Sequence, residues 1–243
     1  MTEKQRINRF LASCGVCSRR KADLLVREGR VTVNGETCVD PSRVIDPDRD
    51  TVSVDGEIVA LQEKLYLVLN KPKGCVCSVS DRFTRTILEL LPPDYRAKGL
   101  YPVGRLDKES EGLLILTNDG ALAQRILHPG QHVLKTYQVL LDTAVSVDFI
   151  YSLSRGTGIA GRLVTPVEVA LMEKTPKGRW VSITLSEGLK REIRVMASTR
   201  GFGVERLVRT RIGQLELKRL KPGEFVSLDR ETLLDMIIHG GAV

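Results

Sequence analysis

The feature that most constrains this chain is an acidic turn that runs directly into an apolar strand. Residues Arg105 to Gly112 hold three carboxylates, and Leu113 to Leu116 follow without a polar interruption. Asn118-Asp119-Gly120 then predicts the end of the strand, because these residue types favour turns. A buried strand therefore fixes one end of the loop that carries Asp107. Catalysis requires that the backbone carrying a functional side chain is fixed in this way, since a free loop positions the side chain too poorly.

The same cluster admits two simpler interpretations. A polar turn between strands is the usual fate of such a segment. A calcium loop is the second, because Asp107, Glu109, Glu111 and Gly112 fall at its first, third, fifth and sixth places. However, its twelfth place is Asn118 rather than glutamate, and a strand is predicted where a second helix should begin. The pattern therefore disfavours calcium.

The stretch from Gly104 to Gly120 resembles the motif G-R-L-D-x-x-[ST]-x-G-L-L-x-x-T-N-D-G of pseudouridine synthases, specifically the RsuA/RluB-type ribosomal-RNA group. Four further segments agree with that family: Lys71-Pro72-Lys73-Gly74, Lys135-Thr136-Tyr137, Ser186 to Met196, and Arg206 to Gly213. The resemblance covers nearly the whole chain. It implies isomerisation of a uridine in RNA, with no metal and no cofactor.

The resemblance also assigns roles to individual residues. Asp107 is the implied nucleophile, because a carboxylate can attack the sugar or the base and form a covalent intermediate. Which of the two it attacks stays open. Arg105 is expected to fill the space vacated by the extruded base, with a phosphate contact as the alternative. Tyr137 is expected to stack on that base, although a core aromatic is the simpler interpretation. Arg194 resembles the basic residue that pairs with the catalytic aspartate.

Two positions depart from the family. Glu192 stands where glutamine is usual, and Val195 stands where a second basic residue is usual. These departures affect neighbouring substrate contacts more than the chemistry. Residues 190–221 nevertheless hold ten Lys or Arg against three acidic residues, so we expect RNA to cross this face. Lys71 belongs to a segment that matches the family, but Lys-Pro-x-Gly can also simply shape a turn beside the site.

Charge is divided sharply within the first 60 residues. Residues 4–30 carry eight Lys or Arg and two acidic residues, whereas residues 31–60 carry two and seven. A helix is predicted at 19–28 with Ser18 as its N-cap, and its outward cations are Arg19, Arg20, Lys21 and Arg27. Such clustering is typical of a phosphate-binding face, with a solvated helix face as the alternative. The order from Ser18 to Gly35 also resembles the alpha-L type RNA-binding module of a ribosomal small-subunit protein.

The periodicity of the chain predicts an α+β protein. We expect a small RNA-binding module of two helices and short strands at 1–62. A catalytic domain at 63–243 should follow, with a mixed, largely antiparallel β-sheet and flanking helices. The elements predicted there include helices at 86–91 and 190–199 and strands at 65–70, 136–141, 163–172, 179–185 and 204–207.

Composition bounds the partners and the location. A net charge of +7 over 243 residues favours a polyanionic partner, which we expect to be ribosomal RNA or an assembling ribosomal subunit rather than DNA. No apolar run approaches the roughly 20 residues of a membrane span, and Met1 to Arg9 is too polar for a signal peptide. Five cysteines, an odd number, favour reduced thiols, and Cys14 and Cys17 lack a second pair of zinc ligands. We therefore expect a cytoplasmic monomer that needs no membrane, no metal and no cofactor.

Two other functions stay open at this point. A non-catalytic RNA-binding ribosome-assembly factor could keep the same fold, but the combination of Asp107, Tyr137 and Arg194 argues against it. A glycosylase is disfavoured by the linked RNA-binding module.

Overall fold

A computed structural model of the protein describes residues 3–238. Residues 1–2, at which the polar N-terminal segment begins, and residues 239–243, at the end of the predicted catalytic domain, lie outside the described residues. The helices are α1 Ile7–Ser13, α2 Arg19–Arg27, α3 Pro93–Arg96, α4 Gly120–Leu127, α5 Val147–Ser154, α6 Glu192–Ser198 and α7 Arg230–Ile237, with 3₁₀ helices at Leu88–Leu90 and Pro129–Gln131. The strands are β1 Gln5–Arg6, β2 Val31–Val33, β3 Glu36–Cys38, β4 Val44–Ile45, β5 Val52–Val54, β6 Glu57–Ile58, β7 Tyr66–Lys71, β8 Tyr101–Val103, β9 Glu111–Thr117, β10 Lys135–Leu141, β11 Thr157–Ile159, β12 Arg162–Val164, β13 Glu168–Leu171, β14 Trp180–Leu185, β15 Val204–Ile212, β16 Leu215–Glu216 and β17 Phe225–Ser227.

The chain divides into two compact units. The first comprises Met1–Leu65, Leu91–Tyr101 and Thr117–Gly120. In it a four-stranded antiparallel sheet of order β3-β2-β5-β6 shares a core with α1 and α2. The tight turns Asn34-Gly35 and Asp55-Gly56 join its strands, and all four residues have positive φ, as a two-residue hairpin requires.

Helix α2 forms as its sequence predicts. The Ser18 hydroxyl accepts a hydrogen bond from the Lys21 amide at 3.3 Å, which caps an otherwise unpaired donor of the first turn. Ala22, Leu25 and Val26 are buried at helical spacing. The cationic side chains are thereby left on the exposed face.

The second unit comprises Tyr66–Leu90, Pro102–Leu116 and the chain from Ala121 onward. Its main sheet has the order β13-β14-β10-β15-β9-β7-β17, with β16 beside β15 and β8 beside β9. Strand β10 pairs antiparallel with β14 and β15, whereas β15 runs parallel to β9. Helices α5 and α6 contribute Phe149, Leu153, Ile193 and Met196 to one core with the apolar side chains of β10 and β14.

This architecture confirms the predicted α+β class, with one parallel pair inside a largely antiparallel sheet. The boundary between residues 62 and 63 stays a prediction, because the first unit also takes in two later segments. The helix predicted at 86–91 is wrong. That segment holds only a 3₁₀ turn, in which the Leu90 amide bonds to Ile87 O and the Glu89 carboxylate holds the Thr86 amide.

Two strand predictions also need correction. The strand predicted at 163–172 is divided into β12 and β13, and Pro166, which lacks an amide donor, lies in the interruption. Strand β15 extends from Val204 to Ile212, well past the predicted end at 207. The part beyond residue 207 holds Arg209, Thr210 and Arg211, and these three consecutive polar residues hide the alternation that predicts a strand.

Candidate active site

The Asp107 loop, residues 105–110, follows β8, which the sequence did not predict, and enters β9, the predicted apolar strand. Strand β9 is buried from Gly112 to Thr117. Gly112 has a φ of +106°, and a Cβ there would collide with the backbone of Arg209 on the parallel strand β15. Only glycine fits this position, because both the conformation and the close approach exclude a side chain. The parallel pairing thus fixes where the loop enters the sheet.

Lys71, at the end of β7, holds the same loop in place through hydrogen bonds to its backbone. Its side chain is completely buried. Its ammonium donates to Ser110 O at 2.7 Å, to Lys108 O at 3.2 Å and to Pro72 O at 3.1 Å. Burial lowers the pKa of Lys71, while nearby negative charges oppose the shift. The three carbonyls satisfy the cation, so Lys71 is a positioning residue for the loop rather than a simple turn former.

The loop opens on a cavity of about 610 Å³. The half-buried side chain of Asp107 lies at its wall, together with Tyr137 and with residues of three other segments: Val76–Ser78, Gly188–Ile193 and Leu207. Within residues 3–238 no hydrogen bond or ion pair occupies the Asp107 carboxylate. The neighbouring carboxylates differ, since Glu109 pairs with Lys73 at 3.2 Å and Glu111 pairs with Arg206 at 2.8 Å. Asp107 therefore combines a fixed backbone with an unoccupied acceptor.

Tyr137 lies on β10 and reaches both the core and the cavity. Its side chain is only 6% exposed and belongs to the apolar cluster of the sheet. Burial raises the pKa of Tyr137; the charge and hydrogen bonding of Arg209 oppose the shift, and the charges of Glu192 and Asp107 add to it. The phenol therefore stays neutral at physiological pH. Tyr137 is thus a core aromatic that also lines the cavity, and its stacking on an extruded base stays a prediction.

Arg209 is the site residue that the sequence did not single out. It lies opposite Tyr137 in the β10–β15 register and is 4% exposed. Its Nε donates to Leu113 O at 2.8 Å, whereas Nη2 is buried without a partner among the described residues. The available signal was its place within the segment Arg206 to Gly213, which agreed with the family motif. Arg209 thus connects strand β9, which follows the Asp107 loop, to Tyr137 on β10.

Of the two other predicted site arginines, Arg105 lines the Asp107 cavity and Arg194 does not. Arg105 is exposed on the cavity wall. Arg194, on α6, donates from Nη1 to Val204 O at 3.0 Å and lines a separate cavity of about 260 Å³. Burial and the charge of Arg191 lower the pKa of Arg194, while the charges of Asp107 and Glu109 oppose this shift. Arg194 thus interacts with Asp107 through charge, and no ion pair joins the two in the described part of the chain.

Glu192, the residue that departs from the family pattern, lines the cavity and is 5% exposed. One oxygen accepts from the Leu189 amide at 2.9 Å at the start of α6. Burial raises the pKa of Glu192, while that hydrogen bond and the charge of Lys135 oppose the shift. A glutamine oxygen could accept the same bond without the cost of burying a charge.

In the first unit, the four predicted RNA-binding cations lie together on one helix. Arg19, Arg20, Lys21 and Arg27 are all exposed on α2, and no ion pair joins any of them to another described residue. By contrast, Arg30 is held by Asp55 at 2.6 Å and by Glu28 at 3.6 Å. Free cations on one face are suited to bind phosphate.

The structure also bears on metal binding and on membrane insertion. Across residues 3–238 no cluster of three or more His, Cys, Asp or Glu side chains is placed to hold a metal ion. All five cysteines are free thiols. None of the helices in that range is long and apolar enough to cross a bilayer.

Comparison with known proteins gives consistent matches. Residues 65–199 match the family model described as RNA pseudouridylate synthase, and residues 5–50 match the S4 domain. An uncharacterized RNA pseudouridine synthase of Bacillus subtilis, YtzG, is 37% identical over 94% of this chain and 96% of that protein. The dual-specificity RNA pseudouridine synthase RluF of Escherichia coli is 35% identical over 95% of this chain and 78% of its own length. A crystal structure of a pseudouridylate synthase superposes with a TM-score of 0.68 at 30% identity, covering 96% of this chain and 99% of that one.

Proposed function

Because the chain belongs to the RNA pseudouridylate synthase family and carries an N-terminal S4 domain, we propose that Asp107 is the nucleophile with which it isomerises a uridine of ribosomal RNA. One observation carries this proposal. The Asp107 carboxylate faces a cavity with no protein partner among the described residues, on a loop that Lys71 holds at the carbonyls of residues 108 and 110 and that continues into the buried strand β9. A nucleophile needs this combination of fixed position and free lone pairs.

The reaction breaks the bond between C1′ of the ribose and N1 of uracil and forms a bond between C1′ and C5. Asp107 forms a covalent intermediate with either the sugar or the base, and the uracil turns before it is rejoined. C5 loses its proton, and N1 gains one, so atoms and electrons balance within an isomerisation. No oxidant, reductant or group donor enters this scheme, and we propose none.

The other site residues are proposed to hold the extruded base. Tyr137 presents its neutral ring at the cavity, where the ring can stack on uracil. Arg105, exposed two residues before Asp107, is suited to replace the base in the RNA stack. Arg194 is proposed to favour the ionised carboxylate through its charge.

RNA binding is proposed to extend beyond the cavity. Arg19, Arg20, Lys21 and Arg27 of α2 supply sequence-independent phosphate contacts. We propose that the substrate is ribosomal RNA, free or within an assembling subunit, and that the enzyme acts as a monomer in the cytoplasm. The ribosomal-RNA assignment rests on the likeness of residues 104–120 to the RsuA/RluB-type motif.

Nucleoside analysis tests the proposal directly. Protein-free ribosomal RNA is incubated with the wild type or with Asp107→Asn, digested, and separated by chromatography with mass detection. We expect the wild type to shift uridine to an isomer of equal mass and altered retention, and Asp107→Asn to bind RNA without converting it. Turnover by Asp107→Asn would contradict the role of Asp107. Release of free uracil would indicate a glycosylase, and RNA binding alone would indicate a non-catalytic assembly factor.

A further inference from the structure

Residues 77–85 form a closed loop at the rim of the Asp107 cavity. Val76 and Thr86 bridge its two ends: the Val76 amide donates to Arg85 O at 3.0 Å, and the Ile87 amide donates to Val76 O at 3.1 Å. Val76, Cys77 and Ser78 line the cavity. The Leu106 amide donates to Cys77 Sγ at 3.3 Å, so the residue immediately before Asp107 is tied to the base of this loop.

Phe83, near the tip of the 77–85 loop, is 94% exposed, more than any other large apolar side chain among the described residues. The backbone around it is nevertheless well organised. Asp81 Oδ1 accepts from the Phe83 amide at 2.9 Å and from the Thr84 amide at 2.8 Å, and Ser78 Oγ donates to Ser80 O at 2.6 Å. The loop therefore holds an aromatic ring in water, where it buries almost no apolar surface.

Two arginines lie close to Phe83 in the sequence of the loop. Arg82 and Arg85 are exposed; Arg85 makes one 3.5 Å contact with Glu89 O, and the Arg82 guanidinium has no bonded partner within residues 3–238. Asp81 is the acidic residue of the loop, and its hydrogen bonds from the Phe83 and Thr84 amides lower its pKa. Its carboxylate is thus engaged inside the loop. An exposed ring with exposed guanidinium groups nearby in the chain combines a stacking face with phosphate contacts, as single-stranded RNA requires.

The Phe83 ring lies close enough to the Asp107 cavity to contact an RNA strand whose target uridine enters that cavity. Phe83 lies three residues before Thr86, so the two are at most about 11 Å apart, since a chain spans no more than roughly 3.6 Å per residue. Thr86 in turn bridges Val76 on the cavity wall. A nucleotide near the extruded uridine is therefore within reach of the ring.

We propose that Phe83 stacks on an unpaired base of the RNA strand that flanks the target uridine, while Arg82 and Arg85 bind its phosphates. This inference rests on the proposed function, because the Asp107 cavity defines where the uridine lies. The positive charge around the ring favours RNA over an apolar protein partner or a second copy of the chain. Phe83 is thus a positioning and specificity residue rather than a catalytic one.

Tryptophan fluorescence offers a specific test. Trp180, the single native tryptophan, is 7% exposed and gives a constant background. Phe83→Trp is compared with Val147→Trp, a matched control at a position that is 83% exposed on α5. Both carry Asp107→Asn to prevent turnover, and both are titrated with protein-free ribosomal RNA. We expect saturable quenching of Phe83→Trp and little change in Val147→Trp, because stacking on a base quenches indole. Equal signals from the two variants on saturated RNA would overturn the proposal.

Kinetics provide a second readout in the otherwise unchanged enzyme. Loss of one base–aromatic stack should raise KM about 5- to 150-fold in Phe83→Ala, with a smaller effect on kcat. Phe83→Tyr, which keeps an aromatic ring, should have a KM close to that of the wild type. If the ring were only structural, Phe83→Ala would not raise KM selectively over its effect on kcat. An unchanged KM in Phe83→Ala would contradict the RNA contact. If the sedimentation of this variant changed while its KM did not, Phe83 would instead belong to a contact between copies of the chain. Absence of isomerisation in the wild type would instead defeat the proposed function.

Discussion

The Nζ atom of Lys71 lies 2.7 Å from the carbonyl oxygen of Ser110, three residues after Asp107. A completely buried cation therefore holds the loop that presents the carboxylate. Because Asp107 itself has no bonded partner among the described residues, its position depends on the backbone that carries it. The precision of the site thus depends on a residue that does not face the cavity.

Lys71→Met should damage stability and turnover together. Methionine preserves most of the volume but removes every donor, and the buried Ser110 carbonyl costs about 1–3 kcal/mol when it loses this partner. We expect a lower free energy of unfolding and a fall in kcat that exceeds any rise in KM. Lys73→Met is the matched control, since its exposed ion pair with Glu109 should contribute at most about 1 kcal/mol. Equal effects of the two substitutions in denaturant unfolding would contradict the role of Lys71.

Arg194→Met should reduce turnover and displace the acid limb of the rate profile toward higher pH. The guanidinium charge favours the ionised form of a nearby carboxylate, and methionine removes it. Single-turnover rates between roughly pH 5 and 9 would measure both effects. Arg194→Lys serves as the control, because it keeps the charge. An acid limb that stays in place in Arg194→Met would assign Arg194 to packing against Val204 or to phosphate binding.

Glu192→Gln should stabilise the protein at neutral and alkaline pH but not in acid. Burial raises the pKa of Glu192 in the folded state above its unfolded value. The wild type therefore loses stability as pH rises through the interval between the two values, whereas glutamine has no proton to lose. We expect a higher Tm than the wild type at pH 8 and convergence near pH 4. Glu187→Gln, at an exposed neighbouring position, is the control. A gain of equal size at both pH values would show that charge burial is not its cause.

Neutralising the exposed face of α2 should weaken RNA binding and flatten its salt dependence. Each lost phosphate contact lowers the slope of log K against log salt by about 0.7–0.9. The combined variant Arg19→Gln, Arg20→Gln, Lys21→Gln and Arg27→Gln should therefore reduce the slope by up to about 3. Filter binding of protein-free ribosomal RNA at several salt concentrations would measure it. Arg43→Gln with Arg49→Gln, on the acidic side of the same unit, should change the slope little. An unchanged slope in the α2 variant would show that this face contacts something other than RNA phosphate.

The sequence by itself determined the parts of this protein that depend on neighbours in the chain. Ser18 caps α2, Asn34-Gly35 and Asp55-Gly56 turn their hairpins, and an apolar run forms β9 behind the Asp107 loop. These features follow from local conformational preference and from burial on one face, which periodicity reveals. The same locality explains why the family motif could be found before any contact was known.

Only the tertiary structure decided which distant residues complete the site. Arg209 lies 72 residues from Tyr137 in the sequence, and strand pairing with a register shift at the Thr136/Tyr137 step brings the two together. Lys71 is a turn residue in the sequence but a buried cation in the fold, because the carbonyls of residues 108 and 110 surround it. Gly112 is required since the parallel strand β15 passes against it. Hydrogen bonds and close approaches between strands depend on register, and the residue types of one strand alone do not specify register.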